Sequence, residues 1–521
     1  MTAHMITLKR AAVRAACVLL GAVPGLAAAQ TDAPNPPAAT ALTIYSSALP
    51  GAIPPELYAP GARGRFRGEI PGHAVIKQER GFDLGSGRST IRFSDVAARI
   101  DPTTVAFISL TDPDTTRVLE QNFQFDLVSQ EKLMERFLDQ VITVEQSHGE
   151  KIETITGTLL STTNGGIILK DNAGQVRIIN HYSNVLFPEL PGGLITRPTL
   201  VWDVLTEQPG SHRTRVTYQT DGITWWADYN VVFAEGADAN SGLLDIGAWV
   251  SIINQSGATY TDAGLKLVAG DVHRVPRPMP AYDMRVMRAR AAPEEAMPGF
   301  EQKPFFEYHL YTLGRPTTLP DNSTKQLELF ETARQVPCEK VLVYDGLGQR
   351  FRHMFGRPMT DRGFGTESDK RVDIYLEFKN EEAVGMGMPL PAGRIRVSKL
   401  DPADDTLEFI GEDAIDHTPK DEKVLIKLGT AFDVVGERTQ VDFRVDTQRN
   451  WMQETIEVKV RNHKDEDVKV IVKENLYRWM NWEITDKTQP FEKIDARTVH
   501  FPVTIEPSGE AVVRYTVRYT W

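Results

Sequence analysis

Residues 248–257 read AWVSIINQSG, residues 374–383 read IYLEFKNEEA and residues 456–465 read IEVKVRNHKD. In each stretch apolar residues take alternate positions (Ala248, Val250, Ile252; Ile374, Leu376, Phe378; Ile456, Val458, Val460). Each run ends in an asparagine, Asn254, Asn380 or Asn462, that opens a polar turn. A period of two buries one face of a strand, and an asparagine side chain caps a turn by bonding the backbone that follows it. Three occurrences of one strand-asparagine-turn unit predict immunoglobulin-like β-sandwich units in the C-terminal part of an all-β chain.

The same alternation orders the text upstream. In DGITWWADYN, residues 221–230, it sets Ile223, Trp225, Ala227 and Tyr229 on one face and Thr224, Trp226, Asp228 and Asn230 on the other. The first set reads as core. The second mixes one indole with polar neighbours, so Trp226 and Asp228 become the candidate ligand or interface surface. From residue 43 to 128, short alternating runs broken by Gly and Asp-Pro predict an N-terminal β domain. SQEKLMERFLDQV, residues 129–141, is the one helical stretch, with Ser129 as N-cap and Leu133, Met134, Phe137, Leu138 and Val141 on one side. Closely spaced strands with turns near 147–149, 164–166 and 172–174 predict a small SH3-like or Sm-like barrel over 142–190. The sandwich region spans 198–521. Within it, residues 273–304 lose both periods, turn rich in Pro, Arg, Met and Ala, and read as a flexible insertion or a partner-binding arm.

The chain opens with Lys9, Arg10 and Arg14, an apolar run, and Ala27, Ala28 and Ala29 before Gln30. This is the pattern of a signal peptide over 1–29 cleaved after Ala29, which predicts a periplasmic or secreted protein. Residues 30–42 then read as a disordered Pro/Ala tether. The apolar run is too short for a spanning helix, so the mature chain is expected to carry no transmembrane segment. Cleavage would remove Cys17 and leave Cys338 alone, so the fold must rest on its cores and not on a disulfide. It would also take the formal charge from −12 to −15, since residues 1–29 hold three Lys or Arg and no Asp or Glu. An acidic chain of this kind is not expected to bind nucleic acid.

Several segments resemble a known family. LITRPTLVWDV, TYQTDGITWWADYNVVF, GAWVSIINQSGATYTDAGLKLVAGDV, TLPDNSTKQLELFE, FIGEDAIDHTPKDEKVLIKLGTAFDV and ENLYRWMNWEI look like the bacterial domain of unknown function at the C-terminus of mucoidy-inhibitor-like proteins, over about 198–521. GFDLGSGRSTIRFSDVAARIDPTTV resembles the β domain that precedes it in relatives. The long coiled coil that some members carry between the two is replaced here by one short helix and the small barrel. The resemblance implies an exported all-β protein and brings no catalytic residues with it.

Catalytic signatures are absent from the text. There is no G-x-S-x-G elbow, no phosphate-binding G-x-x-x-x-G-K-[ST] and no H-E-x-x-H. The histidines stand singly, without metal-ligand spacing, so neither a metal nor another cofactor is expected. Asp238 and Asn240 make an ordinary turn and not a calcium loop. Carboxylates crowd residues 401–423, which read as a solvated rim, or alternatively as the acid and base of a glycosidase. Cys338 reads as a small buried hydrophobe. These features predict a non-catalytic binding or scaffolding protein of the cell envelope whose partner is an envelope protein or a polysaccharide. Two alternatives stay open: a carbohydrate-active enzyme or its glycan-binding module using Trp226 and Asp228, and an adhesion protein acting through 273–304.

Overall fold

The computed structural model describes residues 39–45, 53, 70–148, 151–162, 166–191, 194–270, 272, 300–305, 308–347, 356–366, 368–401 and 403–521. Its first strands are β1 (Ala39–Tyr45), β2 (His73–Leu84), β3 (Gly87–Ser94), β4 (Ile100–Ser109) and β5 (Arg117–Gln124). Helix α1 (Gln130–Arg136) leads into β6 (Val141–His148), β7 (Lys151–Ser161), β8 (Ile167–Asp171), β9 (Val176–Ile179) and β10 (Asn184–Leu186). Next come β11 (Thr199–Thr206), β12 (Gly210–Asp221), β13 (Ile223–Glu235), β14 (Ser241–Asn254), β15 (Tyr260–Ala269), β16 (Phe300–Phe305), β17 (Tyr308–Leu313) and β18 (Thr317–Leu319). The remainder is β19 (Ser323–Tyr344), β20 (Arg371–Lys379), β21 (Gly393–Asp401), β22 (Thr406–Ile415), β23 (Lys423–Asp446), β24 (Trp451–Asn462), β25 (Val468–Asn475), β26 (Trp482–Lys487), β27 (Glu492–Lys493), β28 (Thr498–Ile505) and β29 (Glu510–Thr520). The all-β expectation holds.

The repeat read from the sequence is a repeat in space. β14 pairs with β19, β20 with β23 and β24 with β29, each time antiparallel. Asn254 and Asn462 end the first strand of their pairs, Asn380 directly follows its own, and each ties two turns together. Asn254 Nδ2 donates to the carbonyls of Ala258, Leu319 and Pro320. Asn380 Nδ2 donates to Met388 and Pro419, and Asn462 Nδ2 donates to Glu466, Ile505 and Glu506. The side-chain oxygens accept in turn from the backbone N–H of Ser256, Gly387 and Lys464. All three are buried, and a buried amide is tolerated only when its donors and acceptors are met in this way.

Long strands join the three units. β19, 22 residues long, pairs with β14 from Ser323 to Glu339 and with β20 from Cys338 to Tyr344. β23, 24 residues long, pairs with β20 up to Val435 and with β24 from Val434 onward. One 13-stranded sheet results, with the path β22-β21-β13-β14-β19-β20-β23-β24-β29-β26 and with β25, β27 and β28 branching from it. An eight-stranded sheet, β16-β17-β15-β1-β2-β12-β4 with β18 on β15, and a three-stranded sheet, β3-β11-β5, accompany it. The chain passes from β12 to β13 at Gly222, whose φ of +79° favours glycine. A Cβ there would also lie 2.7 Å from the Gln255 carbonyl.

One hydrophobic core runs through these sheets, from Leu42, Ile76, Phe93 and Trp202 to Trp225, Val250, Leu327, Ile395 and Ile426. A second fills the C-terminal unit with Tyr344, Met452, Val458, Val470, Phe501, Val513 and Tyr515. Two ion pairs are buried in this unit, Arg438 Nε with Glu474 at 3.1 Å and Arg478 Nε with Glu454 at 2.8 Å. Arg478 also donates to the carbonyls of Met359, Asp361 and Phe364, and Arg438 donates to that of Gly365. The two guanidiniums thus hold the segment 359–365 against the sandwich.

Several sequence expectations are corrected by these pairings. No break in hydrogen bonding separates 43–128 from the region beginning at 198, because β1 pairs with β15, β2 with β12, and β3 and β5 with β11. Local composition cannot report a partner strand that lies far away in the chain. The tether expected over 30–42 is strand from Ala39, since Leu42 and Ile44 complete the core between β2 and β15. The helix expected over 129–141 stops at Arg136. Ser129 caps its start, but Asp139 takes a φ of +62° and the chain turns into β6, leaving Leu138 and Val141 exposed. The strands of 142–190 make an open five-stranded sheet, β10-β6-β7-β8-β9, packed on Met134 and Phe137; β9 and β10 remain its two edges and no barrel closes. Of the insertion 273–304, residues 300–304 belong to β16, which forms a hairpin with β17, and 273–299 lie outside the described residues.

Candidate functional site

β13 lies between β14, antiparallel to it, and β21, parallel to it. Trp225 is on the core side, where its ring meets that of Tyr311 edge-on with centroids 6.3 Å apart. Trp226 is on the opposite side, as alternation requires, yet only 8% of it is exposed. It packs in a small apolar cluster with Ile53, Ile70 and Ile253. The two tryptophans therefore do not form one platform, and Trp226 is itself covered.

Asp228 is the centre of a polar arrangement next to it. Trp226 Nε1 donates to Asp228 Oδ2 at 2.7 Å, and Ser251 Oγ donates to the same oxygen at 3.0 Å. Gln326 Nε2 donates to Ser251 Oγ at 3.0 Å and so fixes that hydroxyl from β19. The other carboxylate oxygen lies 3.5 Å from Arg394 Nη2 and 3.5 Å from Arg396 Nη1, both on β21. Arg396 also approaches Glu412 of β22, with Nε at 3.4 Å. The buried carboxylate is thus surrounded by donors, which is what its removal from water demands.

Sequence reasoning singled out Trp226 and Asp228, which the structure brings into direct contact. It missed Ser251, Arg394 and Arg396, and also Trp249, which lies opposite Asp228 in the β14 register and is 40% exposed. Trp249 was missed because its turn of the alternation faces away from the core, and a pattern search for core residues passes over it. The two arginines enter through a parallel pairing, and Arg394 stands 166 positions beyond Asp228. Only the one-residue alternation of GRIRVS, residues 393–398, hints that both share a face.

The other candidates resolve individually. The carboxylates of 401–423 lie on the exposed hairpin of β21 and β22 and on the connection to β23. Asp404 is held low by hydrogen bonds from the Thr406 hydroxyl and backbone N–H, and Asp413 accepts from Lys427 N at 2.7 Å. Asp238 accepts from Asn240 N in the β13-β14 turn, while Asn240 Oδ1 accepts from Lys469 N at 2.9 Å and ties the first unit to the third. Cys338 is buried and burial pushes its thiol up to about 11, so it is protonated at neutral pH. A serine and a histidine do meet, Ser109 Oγ with His212 Nδ1 at 3.0 Å, while His212 Nε2 bonds the Gln208 carbonyl at 2.8 Å. Both residues are buried in the sheet, so the pair is a packing contact.

Among the described residues no three His, Cys, Asp or Glu side chains converge to hold a metal ion, and no helix is long and apolar enough to cross a membrane. No family model matches the chain, and no curated protein matches it.

Proposed function

We propose that the protein is an exported, non-catalytic binding or scaffolding protein of the bacterial cell envelope, akin to the domain of unknown function that its C-terminal region resembles. The observation that carries this reading is the state of Asp228. Its two oxygens already serve an indole N–H, a hydroxyl and two guanidiniums. A carboxylate committed in this way organises a surface and is poorly placed to exchange protons with a substrate. What it organises is the outer face of β13, β14 and β21, where Trp249 and Asn230 are exposed to a partner and Arg394 and Arg396 are held against the carboxylate.

A photo-cross-linker placed at Asn230 in the exported protein, followed by mass spectrometry of the adducts, tests this. The expected outcome is a discrete envelope protein or polymer attached at that position. Asp228→Asn should create no loss of turnover on any envelope polymer, since none is expected. Robust hydrolysis by the wild type that disappears in Asp228→Asn would overturn the reading. One observation favours the glycan-binding alternative on the same face, namely the exposed indole of Trp249, set across β13 from the two arginines, since a sugar ring can stack on an indole.

A further inference from the structure

At the far end of the 13-stranded sheet the edge strand β26 and the turn after β27 enclose an open groove of about 680 Å³. That volume lies within the roughly 300–1,000 Å³ typical of small-ligand sites. Met480, Asn481, Trp482, Lys493, Arg518 and Thr520 line it. We propose that this groove binds a carboxylate-bearing sugar unit of an acidic polysaccharide, a site separate from the Asp228 face and independent of the reading given for it.

Its two cations carry the argument. Lys493 Nζ sits 4.8 Å from the centroid of the Trp482 ring, and the Arg518 guanidinium sits 4.8 Å from that of Trp451. Among the described residues neither is joined to a carboxylate, even though Glu483 stands opposite Arg518 in the strand register. An indole holds a cation in place without neutralising it. Arg394, Arg396, Arg438 and Arg478 are instead paired with carboxylates. In a chain with a formal charge of −12, two positioned and unneutralised cations in one groove are a receptor for an anion.

The surroundings select the class of anion. Trp482 is fixed by its own N–H, which donates to the Ala496 carbonyl at 2.8 Å, and this holds in place the ring over which Lys493 lies. Asn481, Thr520 and the free carboxylate of Glu483 supply the donors and acceptors that sugar hydroxyls need. An acidic peptide fits less well. β26 shifts register between Ile484 and Asp486, and a short, bulged edge does not template an added strand.

Calorimetric titration of the full chain with oligogalacturonate, with a neutral maltooligosaccharide and with polyglutamate tests the proposal. Oligogalacturonate is expected to bind, the neutral sugar and polyglutamate to bind much more weakly, and the double variant Lys493→Gln/Arg518→Gln to lose at least about tenfold in affinity at unchanged melting temperature. Trp249→Ala should leave this binding intact. Oxidative footprinting of the wild type needs no variant: oligogalacturonate should protect Met480, which is 54% exposed in the free protein. No binding by the wild type, unchanged affinity in the double variant, an unprotected Met480, or polyglutamate binding as tightly as the sugar would each overturn the assignment.

Discussion

Arg478 is completely buried and still serves four oxygens: Glu454 Oε2 and the carbonyls of Met359, Asp361 and Phe364. Its guanidinium also lies over the Phe443 ring, 4.5 Å from the centroid. Truncating one member of a buried pair strands the other, at a cost of about 3–5 kcal/mol. Arg478→Ala should therefore lower stability by that order in denaturant titration, and amide exchange over 359–365 should accelerate beyond what global unfolding explains. Unchanged protection of 359–365 would show that the guanidinium is not what holds this segment. None of this was legible in the sequence, where Arg478 sits inside ENLYRWMNWEI as one polar residue among aromatics. Alternation through this stretch would set Tyr477 and Trp479 on one strand face, but β25 ends at Asn475 and β26 begins at Trp482. The residues between leave the sheet, and this lets Arg478 turn inward. The opening of β13 was read correctly because face assignment within one strand is local, whereas Trp249, Arg394 and Arg396 join Asp228 only through pairings that the sequence does not encode locally.

At the scale of elements, the three asparagines were visible because their signal is short: alternate apolar residues, Asn, then a turn. Their function in the fold was less visible. Each bridges its own turn to the turn that precedes the partner strand, as Asn462 does between Glu466 and Ile505–Glu506. Removing such a side chain takes away the donations that join the two turns, the one to the Ile505 carbonyl being buried. Asn462→Ala is expected to cost about 2–3 kcal/mol, while Asn230→Ala, on an exposed position of β13, should stay within about 0.5 kcal/mol. Equal effects of the two substitutions in chemical denaturation would refute the bridging function. The small sheet of β6 to β10 shows the opposite case. Its strands and its turn at Gly174 (φ +83°) follow from local grammar, but whether a five-stranded sheet closes depends on curvature that no single strand records.

Across the whole molecule, buried tyrosines give a test of cooperativity. Burial raises Tyr260 to about 12 and likewise Tyr344 to about 12. Tyr260 belongs to the first core and Tyr344 to the second. A folded pKa above the unfolded value of about 10 contributes stability that is fully present below pH 10 and is lost as the pH rises through 12, at about 1.4 kcal/mol per pH unit for each tyrosine. Because β19 and β23 run through both cores, the cores should fail together. Alkaline titration is expected to show phenolate absorbance and loss of strand circular dichroism in one steep step above pH 10. Phenolate absorbance that rises in full near pH 10 while the strand signal persists would contradict this. The composition-based division at residue 198 points the other way, towards separable pieces, and it misleads because the strands that abolish it pair across more than a hundred positions, as Glu79 does with Arg215.

The strands shared between units also bear on how the protein would respond to tension. Beads joined by linkers extend link by link, since each boundary contains slack. Here the boundaries between the three asparagine units are the interiors of β19 and β23, so a pull along the chain passes from one unit to the next through continuous paired backbone. Among the described residues those boundaries hold no unpaired hinge to straighten first, and the array is expected to transmit strain as a stiff strap.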